Sequence, residues 1–418
     1  MARELGHELM AMEDVQETIL SHVEPIDTES VHLRDATGAV LREAITARDY
    51  LPPFDNSGMD GFGVHVADVA AASDGQGVTL EVQNVVAAGD TGDRPLSTGK
   101  AIRIMTGAPV PEGVEAVVPH ELTQHDECSV TFSAPVRAGQ NIRKRGEDFR
   151  PGDPALNPGV VLRGPHLGIC GTLGCDRVKV SRKLRVAILS PGNELVEVGE
   201  PCGPGQIRNS NGYSLRGALF DLGAEPVSLG ITPDTKEAVW DAIRGALRDG
   251  ADAIVSTGGV SAGDFDYVQE VVREHGEPGY RFKVAMRPGK PQVFGVFDGR
   301  PLFGLPGNPA ASILSFELLV RPALRKMRGE SHVDESRFGV RFPFEYKYRS
   351  GRVFLLRARV VPDEANPQGG FRVEPPGAQG SGLLGSLGSA NAILILPSDR
   401  DRIDEGEVMP AQWIGGRP

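Results

Sequence analysis

Cysteine is scarce in this chain: Cys128, Cys170, Cys175 and Cys202 are the only four in 418 residues. No two of them make a C-x-x-C pair, so neither a zinc ribbon nor a disulfide framework is indicated. The row His166, Cys170, Cys175 reads more simply as a helix-start histidine and buried thiols than as metal ligands, and no chemistry is assigned to it. Long apolar runs are also missing, since no segment approaches the roughly 18–20 apolar residues that span a bilayer. The amino terminus lacks a signal-peptide pattern, and a cytoplasmic location without membrane contact is expected. Basic charge is in deficit as well, with 56 acids against 44 bases and a net charge of −12. Affinity for nucleic acid rests on neutralising phosphates, so no general nucleic-acid binder is expected. Any anionic ligand must be held by a local cationic cluster. The length predicts two to four domains at about 100–200 residues each.

What is present begins with Ser256-Thr257-Gly258-Gly259-Val260-Ser261-Ala262-Gly263-Asp264-Phe265-Asp266. A buried strand, Ala253-Ile254-Val255, runs into this glycine turn, and Tyr267, Val268, Val271 and Val272 follow at helical spacing. Glycines let backbone approach a ligand, and a helix start offers unpaired N–H groups to an anion. Two carboxylates do not welcome a phosphate unless a cation such as Mg²⁺ intervenes. A helix cap on a tight turn explains the same residues, and both readings stay open.

The surrounding pattern predicts a doubly wound parallel α/β sheet. Strands are expected at 185–190, 226–231 and 253–255, and helices at 213–222, 236–249 and from 267. Glu194, Asp234, Asp264 and Asp266 all fall at the carboxyl ends of strands, where ligands bind in such sheets. Alternation through residues 280–291 places Arg281, Lys283, Ala285 and Arg287 on one strand face opposing those acids. A hairpin over residues 294–303 turns at Asp298-Gly299. It delivers Leu305-Pro306-Gly307-Asn308-Pro309 to the start of a long helix, a second anion site by its backbone N–H groups.

Residues 51–148 read as an extended antiparallel domain, with short runs at 78–82, 101–105 and 114–119 between Gly and Pro turns. Residues 149–182 carry further turns and a helix opened by Pro165, and strands return from about 335 with a loop at Gln379-Gly380-Ser381-Gly382. Asn56-Ser57-Gly58-Met59-Asp60-Gly61 and the stretch from Arg103 to Pro109 are turns by composition, each with one reactive group, Asp60 or Thr106. Asn141-Ile142-Arg143-Lys144-Arg145-Gly146-Glu147-Asp148 reads as a charged, solvated hinge.

Together these loops resemble the MoeA family, the molybdopterin molybdenumtransferases of molybdenum cofactor synthesis. The matching blocks are PPFDNSGMDGFGV from Pro52, RIMTGAPVPEG from Arg103, NIRKRGEDF from Asn141, AILSPGNEL from Ala187, STGGVSAGDFDYV from Ser256, MRPGKP from Met286 and GLPGNP from Gly304, with GAQGSG at Gly377 in the tail. The resemblance implies an α/β plus β fold of four domains. These are a linking domain of 27–50 with 149–182, a β-rich insert of 51–148, a MogA-like α/β molybdopterin-binding domain of 1–26 with 183–329, and a β-barrel of 330–418. It also implies an elongated homodimer, with the α/β domain of one subunit facing the insert of the other.

The activity implied is cleavage of adenylylated molybdopterin with release of AMP and insertion of molybdate into the dithiolene. Mg²⁺ would be held by Glu194, Asp234, Asp264 and Asp266. Lys283, Arg287 and Lys290, with Arg357, would grip phosphate or molybdate, as would donors around Pro306, Gly307, Asn308, Pro309 and Ser381. Asp60 and Thr106 would act from the partner subunit, and Arg143 and Asp148 join the substrate-binding set. Three departures from the family pattern are Arg287 for lysine, Ala311 for serine with Ser312 adjacent, and Pro191-Gly192-Asn193 for Thr-Gly-Asp. Expected partners are a second copy, a molybdopterin adenylyltransferase met transiently, and apo-molybdoenzymes or their chaperones. A peptide-binding scaffold of the gephyrin type and a hydrolase of another adenylylated pyrophosphate are the alternative functions.

Overall fold

In β1 (Arg185–Pro191), Val186 and Ile188 point into one core while Ala187 and Leu189 point into another, the period-2 alternation of a strand buried on both faces. The computed structural model describes residues 9–73, 75–260, 266–367 and 369–416. Its central sheet continues with β2 (Glu225–Thr232), β3 (Ala253–Thr257), β4 (Gly279–Lys283), β5 (Pro291–Phe297) and β6 (Arg300–Leu305), in the order β2-β1-β3-β6-β5-β4. The first four strands in that order are mutually parallel, as the alternation of strand and helix requires. The expected parallel sheet therefore stops at β6, because the hairpin turning at Asp298 and Gly299, both at positive φ, returns β5 antiparallel and β4 antiparallel again.

Five helices matter for the site: α1 (Met12–Leu20), α2 (Ser210–Asp221), α3 (Lys236–Arg248), α4 (Tyr267–His275) and α5 (Pro309–Ser315). Val239, Ile243, Val268 and Val271 of α3 and α4 cover one face of the sheet with Ala187, Ile254 and Leu302. Leu215 and Leu219 of α2 cover the other, joined by Met12, Val15 and Ile19 of α1. The expected long helix after Asn308 is α5, a π-turn at Phe316–Val320 and a last stretch, Arg321–Met327.

Residue contacts divide the chain into two compact units, Met1–Glu43 with Pro158–Gly164 and Arg177–Pro418, and Ala44–Asn157 with Pro165–Asp176. The first unit contains the α/β sheet, an antiparallel pair of Thr28–His32 with Arg177–Ser181, and the tail. In the tail, six strands joined by Met286–Arg287 form a seven-stranded sheet, which with a two-stranded ribbon surrounds a core that includes Val340, Phe342, Leu356, Leu394 and Ile403. The second unit pairs Ile45–Thr46 with Pro154–Leu156 and holds a six-stranded sheet. That sheet is antiparallel as expected, apart from the parallel pairing of Val78–Val86 with Lys100–Ile104. No helix among the described residues is long and apolar enough to cross a membrane.

Candidate active site

Four adjacent strands of the first unit, β2, β1, β3 and β6, end on one edge of the sheet, and each continues into a loop singled out by sequence. After β1 and β2 the loops lock together. The Asn193 N–H donates to Asp234 Oδ2 at 3.0 Å and the Asp234 N–H donates to Asn193 Oδ1 at 3.2 Å. The departure to Asn193 thus avoids setting a second carboxylate against Asp234. After β3, Gly258 and Gly259 take φ of +104° and +69°, which only glycine adopts without strain. A Cβ on Gly259 would also meet Val268 Cγ2 at 2.9 Å. The Gly258 N–H donates to Leu305 O at 2.9 Å, tying this turn to the end of β6.

Sequence reasoning missed the residue that joins these turns. Asn211, in the first turn of α2, donates its amide N–H groups to Thr257 Oγ1 at 2.6 Å and Gly307 O at 2.7 Å. Asn209 caps the same helix, accepting from the Gly212 N–H at 3.1 Å. Three polar residues in a row look like loop, so the helix start expected at 213 falls three residues late. An Asn-Ser-Asn run ahead of an apolar helical pattern is the signal that was available.

Asp266 occupies the N-cap position of α4 without a side-chain cap bond, and its carbonyl accepts from the Gln269 N–H at 3.1 Å. Asp264 lies outside the described residues. Among the described residues no group of three or more His, Cys, Asp or Glu side chains is arranged to hold a metal. The expected cage of close-packed carboxylates is therefore not formed by Glu194, Asp234 and Asp266 alone. The donor chemistry still fits a hard divalent ion, since Mg²⁺ is usually held by one or two carboxylates together with substrate phosphates and water.

The basic strand face requires correction. Arg281 and Lys283 lie in β4, and the in-and-out alternation runs on through Arg287, but the pairing partner changes at the next residues. The Val284 N–H donates to Lys290 O, the Ala285 N–H donates to Met10 O, and Met286–Arg287 pairs with Val353 and Phe354 of the tail sheet. Arg287 therefore belongs to a different sheet from Lys283, while Lys290 is exposed in the turn that leads from Arg287 into β5. Arg287 keeps cationic company: burial first, then Arg352 and Arg349, hold its guanidinium below the usual arginine range. Its Nη1 is buried without a hydrogen-bond partner.

Arg357 is 1% exposed, which corrects its expected place on the anion-gripping face. Its Nε donates to Ser386 Oγ at 3.0 Å and its Nη2 to Gly380 O at 3.1 Å, so it shapes the Gly377–Gly382 loop from behind. Burial pushes its guanidinium downward too. Ser381 reaches the α5 start through its backbone, its carbonyl accepting the Ala310 N–H at 3.1 Å. One of the amide donors expected to face an oxyanion after Pro306 is thus already used. Gly307, Asn308 and Pro309 stand at this helix start as expected, and Ser312 beside Ala311 is fully buried.

In the second unit, Asp60 precedes the strand Gly61–Val64, which lies between Lys100–Ile104 and Ala116–Pro119. The Thr106 N–H donates to Asp60 Oδ1 at 2.6 Å. That bond, then one from the Thr106 side chain, holds the Asp60 carboxyl below the usual range. Residues 141–148 are not a free hinge. Arg143 pairs with Asn56, the Asp148 N–H donates to Leu51 O, and Asp55 accepts from Lys144 Nζ and the Arg145 N–H at 2.8 Å each.

Comparison with known proteins accords with these loops. The MoeA N-terminal region (domains I and II) matches residues 10–174, a probable molybdopterin-binding domain matches 187–326, and the MoeA C-terminal region (domain IV) matches 340–412. A molybdopterin molybdenumtransferase of Haemophilus influenzae is 34% identical over 387 residues, covering 92% of this chain and 93% of the relative. One from Bacillus subtilis is 35% identical over 396 residues, covering 93% and 90%. A crystal structure of the molybdopterin biosynthesis MoeA protein from Pyrococcus horikoshii superposes with a TM-score of 0.80 at 29% identity, covering 97% of this chain and all of that one.

Proposed function

Because the chain belongs to the MoeA family of molybdopterin molybdenumtransferases, we propose that the carboxyl edge of its α/β sheet binds adenylylated molybdopterin, cleaves the pyrophosphate and releases AMP as molybdate joins the dithiolene. The protein is a transferase of molybdenum cofactor biosynthesis. The observation that carries the finer reading is the convergence of four strand ends, with Asn193 locked to Asp234 and Asn211 bridging Thr257 and Gly307.

Each part of that edge has a task. Gly258, Gly259 and Gly307 let backbone come close to the phosphates, and the start of α5 favours negative charge. Lys283, Arg287 and Lys290 balance the anions that a net-negative chain would otherwise repel. Arg357 and Ser381 set the tail loop against the α5 start. Glu194 and Asp234, with Asp264 or Asp266, would hold Mg²⁺, which when bound neutralises pyrophosphate and polarises phosphorus.

Asp60 and Thr106, with Arg143 and Asp148, belong to the other compact unit. We assign them to the cleft of a second copy in a homodimer, as the family resemblance implies. A cytoplasmic setting, with receipt from an adenylyltransferase and delivery to apo-molybdoenzymes or their chaperones, completes this reading.

The test is to combine the purified protein with adenylylated molybdopterin, Mg²⁺ and molybdate, then follow AMP release and activation of an apo-molybdoenzyme. Both are expected. AMP without active cofactor would point instead to a pyrophosphate hydrolase, and peptide binding without either product to a scaffold.

A further inference from the structure

The geometry points to His120 as the proton-accepting residue of the Asp60 edge, although it lies outside every motif that marked the site. The inference rests on the proposed reading that this edge meets the substrate pyrophosphate.

Three strands place the groups together. Gly61 stands opposite Ile104 on one side and Pro119 on the other. The residues just beyond those positions, Asp60, Thr106 and His120, therefore meet at one end of the sheet. Asp60 itself is a poor proton acceptor, because the Thr106 N–H and side chain both stabilise its ionised form. Its carbonyl has another use. The His120 N–H donates to Asp60 O at 3.1 Å, and His120 Nδ1 lies 3.2 Å from the same oxygen.

A carbonyl only accepts, so in the neutral ring Nδ1 carries the hydrogen and the lone pair is left on Nε2. The Glu121 carboxylate, 3.6 Å from Nδ1, favours the same tautomer. The His120 side chain is 48% exposed, which leaves room for a reacting water at the ring. The other titratable groups around it are Asp60 from the neighbouring strand, on whose carboxyl Arg103 also acts, with Glu121 and His125. His125 is already engaged, packing on Phe62 with its Nδ1 3.2 Å from Thr123 Oγ1.

An acceptor that fixes the imidazole, leaving its second nitrogen to take a proton, is the arrangement of a general base. When water attacks the pyrophosphate, its oxygen bonds to phosphorus and the bridging P–O bond breaks, with the electron pair leaving on AMP. The proton lost by the water goes to His120 Nε2 and from there to solvent.

The experiment follows AMP release from adenylylated molybdopterin across a pH series for wild type, His120→Gln, His120→Gly and His125→Gln. The backbone bond from residue 120 to Asp60 O persists in all of them. We expect His120→Gln to lower kcat about 10²-fold with KM held within about twofold, and to flatten the acid limb of the profile. Added imidazole should restore part of kcat to His120→Gly, and His125→Gln should stay near wild type. Retained kcat in His120→Gln overturns the inference, as does a loss with an unchanged acid limb and no imidazole rescue. Wild type that releases no AMP overturns the underlying reading along with it, whereas an active wild type with an active His120→Gln overturns this inference alone.

Discussion

Asn211 joins two turns that lie 46 and 96 positions further along the chain from it, and it does so with one side-chain amide. Each bond is worth roughly 0.5–1.5 kcal/mol net, so Asn211→Ala should cost about 1–3 kcal/mol. The expected outcome is a lower melting temperature together with weaker retention of adenylylated molybdopterin; an unchanged melting temperature would show that the turns hold themselves. Asn211 also marks a limit of what sequence displays. Asp60 and Thr106 stand out because a reactive group beside glycine is conspicuous, and Glu194 and Asp234 because they fall at the carboxyl ends of strands. Asn211 and His120 act through partners contributed by other strands, and spacing along the chain carries no trace of those partners. Arg357 shows the converse error, a cation that looked available although it is buried, with its Nε given to the Ser386 hydroxyl and its Nη2 to loop carbonyls.

Among elements, the strands and helices of the α/β sheet were legible because their burial repeats every two or every 3.6 residues. β1, β2 and β3 lie where alternation places them, and α3 ends one residue short of its expected end. The strand after α4 was not fully legible, since residues 284–287 keep their alternation while exchanging one sheet for another. A change of pairing partner leaves the period untouched. The long helix behind the site holds a different hidden feature. Glu317, in its π-turn, accepts from Arg321 Nε at 2.6 Å and Nη2 at 2.7 Å, with both side chains only 1% exposed. Removing one member strands a buried charge, so Glu317→Ala should destabilise by about 3–5 kcal/mol. Chemical denaturation would register this as a lower midpoint, and a midpoint within error of wild type would mean that water reaches Arg321. The paired replacement Glu317→Leu with Arg321→Met should recover much of the loss, since both charges leave the core together.

At the scale of the whole molecule, family-level resemblance carried what local pattern did not. No periodicity joins residues 28–32 to 177–181, and only the order of motifs along the chain placed the insert between them. The two compact units divide the proposed machinery, with Asp60 and Thr106 in one and Asp234 and Lys283 in the other. If one copy's insert serves the other copy's sheet, Asp60→Ala and Asp234→Ala damage opposite contributors to each cleft. In a mixed dimer both lesions fall on one cleft and the second cleft is intact. Equal mixing with free exchange should therefore restore roughly a quarter of wild-type AMP release from two variants that are inactive alone, since half the dimers are mixed and each has one sound site. Were each cleft built within a single subunit, every cleft would contain one lesion and the mixture would stay as inactive as its components. The recovered rate should also fall on dilution below the dimer dissociation constant, because a shared cleft cannot outlive the pairing that forms it.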